Sequence, residues 1–226
     1  MNPLPRCVLF DLDGTLVDSA PDLGDAANQV RAKLGLEPLP IADYRPQASS
    51  GARGLLKVAL GITPKHDDYE THKTTFLSHY HSNLTRYSRL FPGVPELLSA
   101  LEKAKITWGV VTNKVGWLSE PVMHNLGLFE RAACLISGDS TANPKPAPDG
   151  LWLAAHKTGL PPEDCIYVGD DLRDIVAGRA AGMRTIAAGW GYLGTNTKIS
   201  SWDADHIAET PTALAEMLAL RGATSH

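Results

Sequence analysis

Asp11 and Asp13 stand two residues apart, directly after the apolar run Cys7-Val8-Leu9-Phe10 and just before Gly14 and Thr15. Side chains at i and i+2 of an extended chain point the same way, so the spacing places both carboxylates on one side. Two close acids repel at neutral pH, and the arrangement persists only if a cation or a shared proton relieves it. A hard divalent ion such as Mg2+, bound through oxygen and usually beside a phosphate, is the natural relief. Three more groups could join this chemistry: the hydroxyl and amide of Thr112 and Asn113, the ammonium of Lys145, and the acids Asp170, Asp171 and Asp174. Several acids, a hydroxyl and one ammonium are the parts needed to handle a phosphoryl group with a metal. An Asp-x-Asp alone more often caps a helix or lies solvated in a turn, so the weight rests on the whole set.

The elements that must position these groups follow from the hydrophobic pattern. Four apolar residues bounded by a polar turn read as a strand buried on both faces of a parallel sheet. Similar runs at 107–113, 135–137, 166–169 and 185–188 predict further strands, and each candidate group except Lys145 stands at the end of one of them. Helical spacing at 95–103, 118–126, 148–156, 174–181 and 211–220 alternates with the strands, the signature of an α/β, Rossmann-like parallel sheet. Ligands of such sheets bind beyond the carboxyl ends of the strands, where the acids stand. From 18 to 91 no strand is evident. Leu23, Ala26, Ala27, Val30 and Leu34 recur at helical steps, and further helical patterns cover 51–60 and 69–84. A stretch this long exceeds any ordinary connection. It reads as an all-helical insert over residues 18–91, lying above the acids as a lid, with 1–17 and 92–226 forming the core.

The chain has 226 residues and a net charge of -4, with no run of Lys or Arg. That balance argues against nucleic acid or an anionic membrane as the main partner. No apolar run is long enough for a membrane span or a signal segment, so a cytoplasmic location is expected. Cys7, Cys134 and Cys165 each open a strand-like run without Cys-x-x-Cys spacing, which reads as buried free thiols rather than a disulfide or zinc site. In the lid, Gly51 and Arg53 follow a flexible turn. The Arg53 fork would suit a carboxylate on the substrate, though an exposed Arg at a helix start is an equal reading. His66, His72, His79 and His81 form no i, i+4 pair and read as solvated or packing residues rather than a second metal site. Trp117, Trp190 and Tyr192 could shape the crevice, but aromatics of this kind usually belong to the core.

The string Asp11-Leu12-Asp13-Gly14-Thr15-Leu16-Val17-Asp18-Ser19 resembles the first motif of the haloacid dehalogenase superfamily. Thr112-Asn113-Lys114, Lys145-Pro146 and Gly169-Asp170-x-x-x-Asp174 match its other three motifs in order, across nearly the whole chain. The resemblance implies that Asp11 is the nucleophile, forming an aspartyl phosphate, and that Asp13 is the general acid and base. It implies Mg2+ held by Asp11, the Asp13 backbone carbonyl and Asp170. Thr112 and the Asn113 N–H would bind the phosphoryl oxygens, Lys145 would balance charge, and Asp174 would orient Lys145 or the metal's waters. Asp171 is left open between a further metal or lysine contact and a helix N-cap. Dehalogenases resembling this fold lack the second acid and transport ATPases carry Thr there, so Asp13 points to a phosphatase or phosphomutase. The helical insert corresponds to the superfamily's cap. Within the superfamily the chain looks most like phosphoglycolate phosphatases. Ser50-Gly51-Ala52-Arg53 and Gly189-Trp190-Gly191-Tyr192, among other stretches, also resemble N-acetylmuramic acid 6-phosphate phosphatase. Both substrates carry a phosphate and a carboxylate; a phosphomutase of the β-phosphoglucomutase type comes third. A receiver-type signalling module also uses Asp, Thr and Lys, but its acceptor follows a middle strand and it needs no lid. A small phosphomonoester is the expected partner, and the chain is expected to be a monomer or a homodimer.

Overall fold

The computed structural model describes residues 4–194 and 198–220. In chain order the elements are β1 (Cys7–Phe10), β2 (Val17–Asp18), α1 (Ala20–Lys33), α2 (Ile41–Tyr44), α3 (Gly51–Leu60), α4 (Tyr69–Ser82), β3 (Arg89–Leu90), α5 (Val94–Lys103), β4 (Thr107–Val111) and α6 (Gly116–Asn125). There follow β5 (Leu135–Ile136), α7 (Asp149–Thr158), β6 (Cys165–Gly169), α8 (Leu172–Ala180), β7 (Arg184–Ala188), β8 (His206–Ala208) and α9 (Pro211–Met217).

Six strands form one parallel sheet in the order β5-β4-β1-β6-β7-β8. β1 is central and wholly buried, and its side chains alternate between two cores, which is why it reads as continuously apolar. Val8 and Phe10 belong to the larger core, with Leu97 and Leu101 of α5 and Leu214 of α9. Cys7 and Leu9 face the other side, with Leu151 of α7 and Ala177 of α8. The three thiols are free and buried, as expected. The chain steps outward from β1 to β4 and β5, then returns to β6 on the other flank of β1, so β1 borders the switch point where a parallel sheet opens a crevice. Asp11, Thr112 and Asp170 each stand one residue beyond the ends of β1, β4 and β6, on that rim.

Between β2 and β3 every described element is helical. α1 packs on α3 and α4, and Tyr44, Leu55, Leu56, Phe76 and Tyr80 fill the space between them. Buried Asp22 of α1 accepts hydrogen bonds from the backbone N–H groups of Tyr87 and Ser88, tying the returning chain to the start of the insert. Asn28 bonds both backbone groups of Leu39 and accepts from the Tyr44 hydroxyl, fixing the turn after α1. No described helix is long and apolar enough to cross a membrane.

Three features depart from expectation. The two ends of the insert pair as a short antiparallel ribbon, Val17 with Leu90 and Asp18 with Arg89, where no strand was expected. β8 adds an edge strand, and α2 with a 3-10 turn over 45–50 fills what read as irregular chain. Two to six residues carry too little periodicity to be recognised. α3 spans the residues expected of it.

Candidate active site

The segment after β1 is shaped by Leu12, whose carbonyl accepts the N–H groups of Leu16 and Val17. The chain therefore turns at Leu12 rather than running on extended, which corrects the simple i, i+2 picture. Both acids nonetheless line one cavity. Gly14, at φ +91°, closes the turn beneath Asp170: a Cβ there would lie 2.2 Å from Asp170 Oδ2. Only glycine combines that conformation with that approach.

Lys145 Nζ lies 2.9 Å from Asp11 Oδ1 and 2.7 Å from Asp174 Oδ1. It also donates to the Val111 carbonyl and to the Tyr167 hydroxyl at 3.0 and 2.6 Å, and Tyr167 in turn donates to the same carbonyl. Burial opposes the Lys145 charge, but Asp11 and Asp174 outweigh it and hold the ammonium above its ordinary range. Burial pushes the Asp11 carboxyl up to about 6; Lys145 pulls it down and Asp174 adds to the rise. The Lys145-Pro146 segment, joined by a cis peptide, is pinned by Asn113, whose amide group bonds the backbone N–H and carbonyl of Lys145, both at 2.9 Å. The Asn113 side chain is thus occupied with Lys145. Thr112 is buried and lines the cavity, its hydroxyl oxygen accepting from the Lys114 N–H.

Asp170 is fully buried and fixed by Thr15 Oγ1 at 2.9 Å, the Tyr192 N–H at 2.9 Å and Ser49 Oγ at 3.2 Å. Burial, with Asp11 and Asp174 close by, pushes its carboxyl well above the usual range. Oxygens of Asp11, Asp170 and Asp174 lie within 4.8 Å of one another. Three buried carboxylates facing a single ammonium leave negative charge uncompensated, and an all-oxygen donor set of this kind fits a hard cation such as Mg2+. The expected ligand set was Asp11, the Asp13 backbone carbonyl and Asp170. The third carboxylate of the cluster is Asp174, while that of Asp13 is turned to Lys114, at 2.9 Å.

Asp171 caps α8: its side chain accepts from the Arg173 N–H, and Asp174 closes a capping box by accepting from the Asp171 N–H. It also holds the Arg173 guanidinium through both carboxylate oxygens, which keeps its carboxyl below the usual range against the effect of burial. Of the readings left open for Asp171, the N-cap is the one with a hydrogen bond behind it. Arg173 then reaches the insert, donating to the Ser49 carbonyl at 2.8 Å. Gly51 and Arg53 both line the cavity from the insert side, and Arg53 has no hydrogen bond or ion pair among the described residues. Trp190 donates to the Thr15 carbonyl, and Tyr192 bonds Asp18 and the Ala20 N–H, so both aromatics hold the loops of the site. Trp117 is half-exposed and packs at a tilt against the His81 ring, and it does not line the cavity. His79 pairs with Asp25 between α1 and α4, and no histidine joins a metal cluster among the described residues.

The cavity has a volume of about 430 Å³, roofed by Leu23, Ala52, Phe76, Leu77 and Tyr80 of the insert. Lys114, Tyr80, Tyr167, Ser49 and Arg173 were not singled out from sequence. For Lys114 a signal existed, since it follows Thr112-Asn113 directly; the others announce themselves only through the fold.

Residues 8–188 match the family model described as haloacid dehalogenase-like hydrolase. The chain belongs to the haloacid dehalogenase-like hydrolases. Among curated members, the N-acetylmuramic acid 6-phosphate phosphatase of Pseudomonas putida is 41% identical over 213 residues, covering 94% of this chain and 96% of the relative. The phosphoglycolate phosphatase of Xanthomonas campestris pv. campestris is 44% identical over 216 residues, covering 94% and 96%. A crystal structure from Haemophilus somnus, named as a predicted phosphoglycolate phosphatase, superposes with a TM-score of 0.84 at 28% identity, covering 96% of this chain and 99% of its own. This haloacid dehalogenase-like hydrolase carries Asp11 and Asp170 at the carboxyl rim of its parallel sheet.

Proposed function

We propose that this hydrolase is a Mg2+-dependent phosphomonoesterase working through an aspartyl phosphate on Asp11, with 1–17 and 92–226 as catalytic core and 18–91 as cap. The observation that carries the reading is the placement of Asp11. Its carboxylate lies in the cavity against Lys145, beside the buried acids Asp170 and Asp174, with Asp13 on the same cavity wall. Mg2+ would be held by Asp11, Asp170 and the residue 13 carbonyl, with Asp174 beside them. When bound it would offset the charge of the transferring phosphoryl group.

Asp11 attacks phosphorus in line, and the bond from phosphorus to the ester oxygen breaks. Asp13 gives its proton to the departing oxygen, help commonly worth about 10²–10⁴-fold. It then takes a proton from the water that attacks the aspartyl phosphate, releasing inorganic phosphate and restoring the Asp11 carboxylate. Thr112 and the Asn113 N–H hold the phosphoryl oxygens, and Lys145 keeps Asp11 ionised. Asp174 orients Lys145, and Asp171 acts at one remove by fixing α8 and Arg173. Arg53, unpaired at the cavity edge, offers its fork to a substrate carboxylate.

Phosphoglycolate and N-acetylmuramic acid 6-phosphate both satisfy these requirements, and the relatives carry both names. The sequence favours the first. The second is favoured by the cavity, because about 430 Å³ walled by apolar insert residues is far more than a two-carbon acid fills. Measuring kcat/KM for both esters, with Mg2+ and with EDTA, tests the proposal. Metal-dependent turnover of at least one supports the reading, and preference for the amino sugar assigns the cavity to its ring. Turnover unaffected by EDTA, or none on either ester, would overturn it.

A further inference from the structure

Lys114 is the buried cation that the steps above leave without a role. Its ammonium lies 3.1 and 2.9 Å from the two carboxylate oxygens of Asp13 and 2.9 Å from the Tyr80 hydroxyl. It also sits 4.6 Å from the centre of the Tyr80 ring, and its side chain is only 7% exposed. An ammonium has three donors, and these three acceptors use them, so Lys114 has none to spare for a substrate. The three residues come from three places: Asp13 from the turn after β1, Lys114 from the loop after β4, and Tyr80 from α4 of the insert.

We propose that Lys114 is a positioning residue for Asp13, and that Tyr80 makes this positioning depend on the insert being closed over the cavity. The inference rests on the reading of Asp13 as proton donor and acceptor. The terminal torsion of an Asp side chain is broad, so an unpartnered Asp13 carboxyl would sample many planes. One ammonium spanning both oxygens selects a single plane. Proton transfer needs the ester oxygen within about 2.6–3.2 Å of that carboxyl, and a misplacement of about 1 Å can cost on the order of 10²-fold. Besides Asp13, the ammonium's hydrogen-bond partner among the described residues is the Tyr80 hydroxyl, so an insert that swings away removes that anchor and frees Asp13 to reorient. Acid-base competence and closure are thereby linked through one side chain.

The test compares kcat/KM on two leaving groups. One ester is 2-phosphoglycolate or N-acetylmuramic acid 6-phosphate, whichever the wild type turns over faster, whose alkoxide needs a proton. The other is p-nitrophenyl phosphate, whose nitrophenolate departs without one. Asp13→Asn serves as reference and should lose far more on the alkyl ester. Lys114→Met should copy that pattern, losing on the order of 10²-fold on the alkyl ester and less than about threefold on the aryl ester. Tyr80→Phe, which removes one hydroxyl and keeps the ring, should show the same pattern at roughly tenfold. Lys114→Arg should recover part of the alkyl-ester rate. Equal losses on both esters, or no loss, in Lys114→Met and Tyr80→Phe would overturn the inference while leaving the phosphatase reading intact. If Lys114→Met does not fold, Tyr80→Phe decides alone. An Asp13→Asn enzyme without leaving-group dependence would overturn the Asp13 assignment, and this inference with it.

Discussion

Replacing Asp11 by Asn should abolish turnover and at the same time stabilise the metal-free protein. Asp11 is 8% exposed, and its carboxyl is pushed up to about 6, first by burial and further by Asp174, against the opposing pull of Lys145. A carboxyl whose folded pKa lies above its ordinary 3.8 adds stability only while protonated. The contribution is therefore full below about pH 4 and is lost as pH rises through about 6. At roughly 1.4 kcal/mol per decade of proton affinity, the rise from 3.8 to about 6 leaves the ionised form about 3 kcal/mol worse than the neutral one. Asn copies the neutral acid: its oxygen still accepts from the Leu12 N–H, and Lys145 keeps Asp174 as partner. Urea denaturation in EDTA at pH 8 should show Asp11→Asn more stable by about 3 kcal/mol, with the gap closing towards pH 4. Saturating Mg2+ should raise the wild-type midpoint more than the variant's, because the cation gains most from an ionised Asp11. A variant no more stable than wild type at pH 8 in EDTA, with a difference that does not vary between pH 4 and 8, would refute the claim that Asp11 is held ionised against its burial.

Three further outcomes follow from the same geometry. Lys145→Met removes the cation shared by Asp11 and Asp174 and should cost about 3–5 kcal/mol at pH 8. The loss should shrink towards pH 5 as the orphaned Asp11 carboxyl takes up a proton, which urea titrations at the two pH values will read. Gly191→Ala would place a Cβ 2.1 Å from Asp170 Cβ and 2.5 Å from the Gly14 carbonyl. It should displace Asp170 and raise the Mg2+ concentration needed for half-maximal activity by about 10–100-fold, measured by metal titration. Arg53→Ala should raise KM for a carboxylated ester by about tenfold, the worth of a charged hydrogen bond, while p-nitrophenyl phosphate kinetics stay within about twofold.

The core of the account was legible in the sequence because the sheet is buried on both faces and its strands end in chemistry. Cys7–Phe10 had to be an interior strand, and Asp11 beyond it had to lie on the rim of the sheet. The long helical stretch after Asp18 was recognisable from the spacing of Leu23, Ala26, Ala27 and Val30, all buried in the structure. What was not legible depends on contacts between residues far apart in the chain. Val17–Asp18 and Arg89–Leu90 become strands only by pairing with each other, Val17 with Leu90 and Asp18 with Arg89, far apart in the chain. Asp171 could be an N-cap or a ligand until Arg173 and Asp174 were seen to engage it. Lys114 stood beside a recognised motif, yet its bonds to Asp13 and Tyr80 span 101 and 34 positions, which no local pattern reports. Tyr167 looked like one more apolar strand residue, but its hydroxyl holds Lys145.

The central claim is that Asp11 carries the phosphoryl group between substrate and water. Rapid acid quench of a single turnover with 32P-labelled substrate, followed by peptide mapping, tests it most directly. The account predicts a base-labile label on the peptide containing Asp11 that forms and decays at rates compatible with turnover and is absent from Asp11→Asn. Turnover without any protein-bound label under quench conditions that preserve acyl phosphates, or a label on another residue, would contradict it.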